Sequence, residues 1–230
     1  IYFTISCKKR HKKKNNCLMD INYQIDTFCR YAQVSRETIN KLKLYEKLLK
    51  EANKNLNLIG NSTLENIWHR HFLDSMQAID FIEKKDKIIT DIGSGAGFPG
   101  VVLALAAKDK KITSELRLIE KSKKKSKFLR ALIEKLELKT KILNEDVMQK
   151  DFELRGDVFI ARAFRPLTNI LELIHSKSKN WKKILVFQGK NGKSELLQAS
   201  KNWDIKYKQR KSITSNDSSI IEIMSLKKIN

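Results

Sequence analysis

The chain has 230 residues, of which 41% are apolar, and its 47 Lys and Arg against 26 Asp and Glu give a formal net charge of +21. That length builds one sizeable domain, or one domain with an appendage, and excludes a miniprotein stapled by metal or disulfides. Its apolar stretches, such as Val101 to Ala107, fall far short of the ~20 residues a membrane span needs, and Cys7, Cys17 and Cys29 form no CxxC pair that would suggest a disulfide framework or thiolate metal site. A soluble, cytoplasmic protein is the expectation.

Lys8, Lys9, Arg10, Lys12, Lys13 and Lys14 make residues 1–18 uniformly basic, and their charges follow the short apolar run instead of preceding it, unlike a secretory signal. These residues are expected to be a disordered or non-native extension, with Met19 the natural start; a basic arm gripping RNA is the alternative. The overall charge points to a polyanionic partner. Most of it is lysine, however, a bias that an AT-rich genome produces by itself.

From Ser35 to Leu56 apolar residues recur at Ile39, Leu42, Tyr45, Leu49, Ala52 and Leu56, the spacing of one helical face. Ser62-Thr63-Leu64-Glu65 reads as a capping box that starts a second helix running through Ile67, His71, Ser75, Met76 and Ile79. Residues 19–85 are therefore expected to form a helical N-terminal subdomain.

Residues 86–230 have a different texture, in which short buried runs alternate with helical stretches. Strands are predicted at Ile88–Asp91, Leu116–Ile119, Lys141–Leu143, Val158–Ile160 and Ile184–Phe187, with helices at Val101–Ala107, Phe128–Leu136 and Leu167–Ile174. That alternation means a parallel sheet covered on both faces. Trp203–Tyr207 and Ser219–Met224 suit an antiparallel pair at its edge.

The strongest signal is Asp91-Ile92-Gly93-Ser94-Gly95-Ala96-Gly97-Phe98-Pro99-Gly100, placed directly between a strand and a helix. Its glycines permit a tight turn and close backbone approach to a ligand, and Pro99 suits a helix's first turn. Gly95-x-Gly97-x-x-Gly100 satisfies the dinucleotide pattern, and Glu120 at the end of the second strand stands where a ribose-binding acid belongs. A dinucleotide needs a helix N-terminus for its pyrophosphate. S-adenosylmethionine has no phosphate, and the longer Asp91-x-Gly93-x-Gly95-x-Gly97 series favours it over NAD.

Gln188 to Ser194 resembles a P-loop but has Phe187 where the first glycine is required, and His69-x-His71 within a helix splays its rings apart, so neither a Walker motif nor a metal site is read there. His71, Asp74 and Ser75 share one helical face and are placed to hydrogen-bond with one another. After the fourth strand, Ile160-Ala161-Arg162-Ala163-Phe164-Arg165-Pro166 lacks the clamp used on exocyclic amines, and no cysteine lies in the sheet region to attack a pyrimidine carbon. A ring nitrogen such as guanine N7 carries a lone pair and no proton, so alignment alone suffices. Arg162 and Arg165 suit phosphate binding or base stacking.

Asn57-Leu58, Trp68 to Ser75, Asp91 to Gly100, Lys124-x-x-x-Phe128-Leu129 and Ala161-Arg162-Ala163-Phe164, in that order, resemble the bacterial small-subunit ribosomal RNA methyltransferase G family, also called glucose-inhibited division protein B. The match runs from about Met19 to the C-terminus. The resemblance implies a cytoplasmic enzyme with a class I, Rossmann-like α/β methyltransferase fold, seven-stranded and mostly parallel, that transfers a methyl group from S-adenosylmethionine to guanine N7 in 16S rRNA. It places Gly93, Gly95, Gly97 and Phe98 at the cofactor, Glu120 at the ribose, Asp146 and Val147 at the adenine, and Arg162, the catalytic candidate, near the methionyl end or incoming base. Lys124, Arg165 and Lys190 are expected to contact RNA. Two departures stand out: Asn144-Glu145-Asp146 replaces the family's Arg-x-Glu, and Gln188 replaces a lysine, which Lys190 or Lys193 would have to substitute. An NAD-dependent oxidoreductase and a basic RNA-binding protein with a vestigial pocket are the alternatives; a monomer acting on 16S rRNA or the small ribosomal subunit, without metal or membrane, is the expectation.

Overall fold

A computed structural model describes residues 20–229; the basic segment 1–18, with Cys7 and Cys17, lies outside them. Seven strands form one sheet in the order β3-β2-β1-β4-β5-β7-β6. β1 (Ile88–Ile92), β2 (Glu115–Ile119), β3 (Thr140–Leu143), β4 (Val158–Arg162) and β5 (Lys183–Gln188) run parallel, whereas β7 (Ser219–Lys228) lies antiparallel between β5 and β6 (Trp203–Lys211). β1, β4 and β5 are buried almost without interruption, as strands covered on both faces must be. The edge strand β6 is mostly exposed and carries Lys206, Lys208 and Lys211, charges that discourage pairing with another chain.

The helices α5 (Gly100–Ala106), α6 (Lys123–Lys135), α7 (Leu167–Lys177) and α8 (Gly192–Ala199) cover the sheet. α6 starts five residues earlier than its apolar pattern indicates, because Ser122 caps it by accepting from the Lys125 N–H. α8 buries only Gly192 and Ala199, too few positions for a periodic pattern to reveal it. No helix among the described residues is long and apolar enough to cross a membrane.

α1 (Ile21–Ala32) and α2 (Arg36–Leu56) precede the sheet, and each begins at a residue whose side chain accepts a backbone N–H: Asp20 from Asn22 and Ser35 from Thr38. α2 ends at Asn57, which adopts the left-handed conformation that asparagine tolerates. The inward face of these helices does not close on itself. Phe28, Leu42, Tyr45, Leu49, Trp68 and Phe72 share one core with Phe98, Val101, Leu129 and Leu132 of the sheet's own helices and loop.

The second predicted helix is not continuous. α3 (Asn61–Leu64) is followed by a π-helical turn at Trp68–Leu73, a single α turn, α4 (Asp74–Met76), and a 3-10 turn at Gln77–Phe81. The expected capping box does not form. The Asn53 amide brackets the Ile59 N–H and C=O and also bonds Asn61, drawing the helix start back to an extended Gly60, so Ser62 lies inside the first turn.

Candidate active site

Strand order reverses between β1 and β4, and in such sheets the crevice at the carboxyl ends receives the ligand. A cleft of about 490 Å³ opens there, within the ~300–1,000 Å³ typical of small-molecule sites. The glycine loop after β1 forms its floor, and the segments after β2, β3 and β4 form its walls. Leu58, Ile59 and His71 close it from the helical side.

Gly93 has φ +74°, and a Cβ there would stand 2.3 Å from Phe164 Cδ2. Gly97 has φ +104°, and its added Cβ would meet Val101 at 2.6 Å and the Tyr45 hydroxyl at 2.7 Å. That hydroxyl, fully buried, donates to the Ala96 carbonyl at 2.7 Å, so α2 pins the loop from beneath. Phe98 emerges into the cleft, stacked near-parallel on Tyr45 and on His71, with ring centroids 5.4 Å and 4.7 Å away.

Glu120 directly follows β2 and is buried. Its Oε2 accepts from the Gly95 N–H at 2.9 Å and its Oε1 from the Ser122 N–H at 2.7 Å. An ionised carboxylate has about four lone-pair sites, so two remain for a diol such as a ribose. Glu145, Asp146 and a buried Val147 form the wall after β3. Asp146 Oδ1 accepts from the Met148 N–H at 3.0 Å, while Glu145 is exposed at the mouth, so both acids of the departed segment reach the cleft.

Gly93, Gly95, Phe98, Glu120, Asp146, Val147, Arg162 and Arg165 all line the cleft; Gly97, Lys124 and Lys190 do not. Gly97 faces Tyr45 and Val101, where it lets helix and loop approach. Lys124 points to solvent, and the helical phase set by the Ser122 cap brings Lys125 to the cleft instead, together with Lys121. Lys190 sits exposed in the turn after β5. Gln188 is buried and gives its amide to the Gly192 carbonyl at 3.3 Å, which closes that turn.

Arg162, the last residue of β4, is the most constrained side chain of the site. Its Nε lies 3.2 Å from Asp74 Oδ2, and its Nη2 donates to the Arg70 carbonyl at 2.8 Å and to His71 Nδ1 at 3.2 Å. The face shared by His71, Asp74 and Ser75 thus converges on an arginine some ninety residues away, a partner the local spacing did not identify. Burial and the neighbouring Arg162 and Arg70 charges push the His71 pKa down to about 3, so its ring is neutral.

Asp91 closes β1. Its Oδ2 accepts from the Gly100 N–H at 3.1 Å, and its Oδ1 is buried with no hydrogen-bond partner among the described residues. The contact weighs against a dinucleotide: α5 has seven residues, Pro99 has no N–H, and the next donor already serves a carboxyl group, leaving no helix start for a pyrophosphate.

Burial pushes the Asp91 carboxyl from 3.8 up to about 7. The folded chain therefore holds a proton there that the unfolded chain has lost, and this group's contribution to stability falls as pH rises from about 4 to 7. At 1.36 kcal/mol per pH unit the loss reaches up to about 4 kcal/mol. His71 acts in the opposite sense, since its depressed pKa adds stability between about pH 3 and 6.5, so the two largely offset each other in the overlap. Asp91→Asn removes one side of this balance. Its melting temperature relative to the unaltered chain is expected to rise steadily from pH 4 to 7; a constant difference between the two melting curves would refute the assignment.

The comparisons with known proteins agree with this architecture. A mutant of MtNAS in complex with S-adenosylmethionine superposes with a TM-score of 0.54 at 15% identity, over 80% of this chain and 74% of that one. A SAM-dependent methyltransferase from Aquifex aeolicus does so with 0.52 at 12% identity, over 76% and 97%. These likenesses establish the fold. In sequence, the chain is 39% identical over 199 residues to the ribosomal RNA small subunit methyltransferase G of Pelagibacter ubique, covering 86% of this chain and 93% of that protein. It is 39% identical over 191 residues to the protein of the same name from Orientia tsutsugamushi, covering 83% and 92%. The profile of that family spans residues 38–224, from α2 through the sheet to β7. With the glycine loop, the acid after β2 and the arginine closing β4 gathered around one cleft, the chain belongs to the rRNA small subunit methyltransferase G family.

Proposed function

We propose that this chain transfers the methyl group of S-adenosylmethionine to N7 of a guanosine in 16S rRNA. The observation that carries the reading is that, among the described residues, the cleft offers no histidine free to act as a base. His71 is the imidazole lining the cleft, and both its nitrogens are spent, Nδ1 on Arg162 and Nε2 on Thr63 Oγ1 at 2.9 Å. Cys29, the cysteine among the described residues, lies in α1, outside the cleft. An acceptor atom with an in-plane lone pair and no proton needs neither base nor nucleophile.

The cleft's residues fit the cofactor. Space lies open above Gly95, where an added Cβ would meet nothing closer than the Gly93 carbonyl at 3.8 Å. Glu120 retains acceptor capacity for the ribose hydroxyls, while Val147, Ile119 and Phe98 supply apolar surface for the adenine and methionyl chain. Bound there, S-adenosylmethionine supplies an electrophilic methyl on a sulfonium. The protein's task is alignment. Arg162, Phe164, Arg165, Lys121 and Lys125 line the cleft; the reading gives Arg162 and Phe164 to the acceptor, and the positive charge of the other three to RNA phosphates.

The test is methyl transfer from labelled S-adenosylmethionine to small ribosomal subunits lacking native N7 methylation, with the product mapped by cleavage at 7-methylguanosine. One modified guanosine is the expected result. Transfer to a different atom, or none despite tight cofactor binding to the intact chain with either naked 16S rRNA or assembled subunits, would overturn the reading.

A further inference from the structure

A guanidinium has five N–H donors in one plane and no acceptor. In Arg162 the Nε hydrogen goes to Asp74, both Nη2 hydrogens go to the Arg70 carbonyl and His71 Nδ1, and Nη1 reaches Ser75 Oγ at 3.5 Å, the outer limit of a hydrogen bond. One Nη1 hydrogen is left without a protein partner among the described residues. The edge that holds it belongs to a side chain lining the cleft.

The groups that consume the other donors are themselves immobilised. Because arginine cannot accept, His71 Nδ1 must, so the ring is the Nε2–H tautomer and donates to Thr63 Oγ1, which donates in turn to the Gly60 carbonyl at 2.8 Å. Stacking on Phe98, at an interplanar angle of 22°, fixes the ring plane. Asp74 Oδ1 accepts from Gln77 Nε2 at 3.1 Å, Ser212 Oγ at 3.0 Å and Thr214 Oγ1 at 2.8 Å, which fixes the carboxylate that holds Nε.

We propose that His71 and Asp74 are positioning residues that orient Arg162 so that its Nη1 edge alone donates into the cleft, to the exocyclic oxygen adjoining the base nitrogen that is alkylated. The proposal rests on the guanine-N7 reading. The Hoogsteen edge of guanine offers two acceptors side by side, O6 and N7, and a free arginine takes both. Such a pairing would occupy the lone pair that has to attack the methyl group. An arginine with one edge available holds O6 and leaves N7 open, so restraint of the guanidinium, more than its charge, is what the reaction requires.

His71→Leu removes the Nδ1 acceptor, whereas His71→Asn places an amide oxygen near the same point. With undermethylated subunits and saturating cofactor, His71→Leu is expected to lower kcat by ~100-fold, the scale of a misplacement of about 1 Å. The subunit KM and the calorimetric cofactor affinity are expected to change less than ~3-fold, the split that marks an interaction realised only in the transition state. His71→Asn is expected to recover at least ~10-fold of kcat, since a hydrogen bond to a charged group is worth that much. Full activity in His71→Leu would overturn the proposal. So would a loss of cofactor affinity and melting temperature in step with activity that His71→Asn does not repair. Failure of the unaltered chain to methylate guanine N7 would instead overturn the underlying reading, and the proposal with it.

Discussion

Gly93→Ala is expected to weaken S-adenosylmethionine binding by ~100-fold in calorimetric titration, about 2.7 kcal/mol. Two costs add at this position. The residue sits at φ +74°, where a side chain costs about 1 kcal/mol or more, and the new Cβ would lie 2.3 Å from Phe164 Cδ2 and 3.0 Å from its Cε2. Relief requires the Phe164 ring to swing from the wall of the cleft or the loop to rise into it, and either movement takes space from the cofactor. Gly95→Ala is the control on the protein itself, because at φ +55° its added Cβ meets nothing nearer than 3.8 Å. Its melting temperature is expected to fall less than that of Gly93→Ala. Unchanged cofactor affinity in Gly93→Ala would show that the ligand binds elsewhere.

Arg162→Ala is expected to abolish methyl transfer and also to destabilise the fold. Asp74, largely buried, loses the charge that compensates it, and breaking such a pair from one side costs ~3–5 kcal/mol. The donors that remain on Asp74 Oδ1, from Gln77, Ser212 and Thr214, put the expected value at the low end, about 3 kcal/mol. For a chain of this size that is a fall of ~6–12 °C in melting temperature. The double variant Arg162→Ala/Asp74→Asn, which removes the orphaned charge, is expected to recover part of it, and a double-mutant cycle measures the coupling. Additive losses would mean that the two side chains do not form the pair described here.

The five parallel strands and the glycine loop were legible because each carries its signal within about ten residues: buried apolar runs, strand-end acids, and glycines where the backbone turns. What escaped depends on chain segments far apart. The capping box at Ser62 followed a valid local rule, but Asn53 in the preceding helix had already claimed the turn at Ile59. Lys124 and Lys125 are equal candidates in sequence; the phase of α6, set by Ser122, decides which one faces the cleft. The π-helical turn that aims His71 leaves no periodic trace, and the hydroxyl of Tyr45 reads as one more apolar helix position until the loop is seen above it. The motif pattern points Gly97 at the cofactor, while in the fold its lack of a side chain serves the packing of Tyr45 and Val101.

Asp74 is bonded to residues 138 and 140 positions further along, in the turn between β6 and β7, and β7 is laid between β5 and β6. A nascent chain that has emerged from the ribosome only as far as β5 already contains the glycine loop, the acid after β2 and the arginine closing β4. It lacks the hydroxyls that steady that arginine's carboxylate, and its sheet still awaits a strand that must enter beside β5. Completion of the site is therefore tied to the segment that carries β6 and β7, so a product truncated after β5 should retain most of the motifs by which the family is recognised yet have a loosely held Arg162.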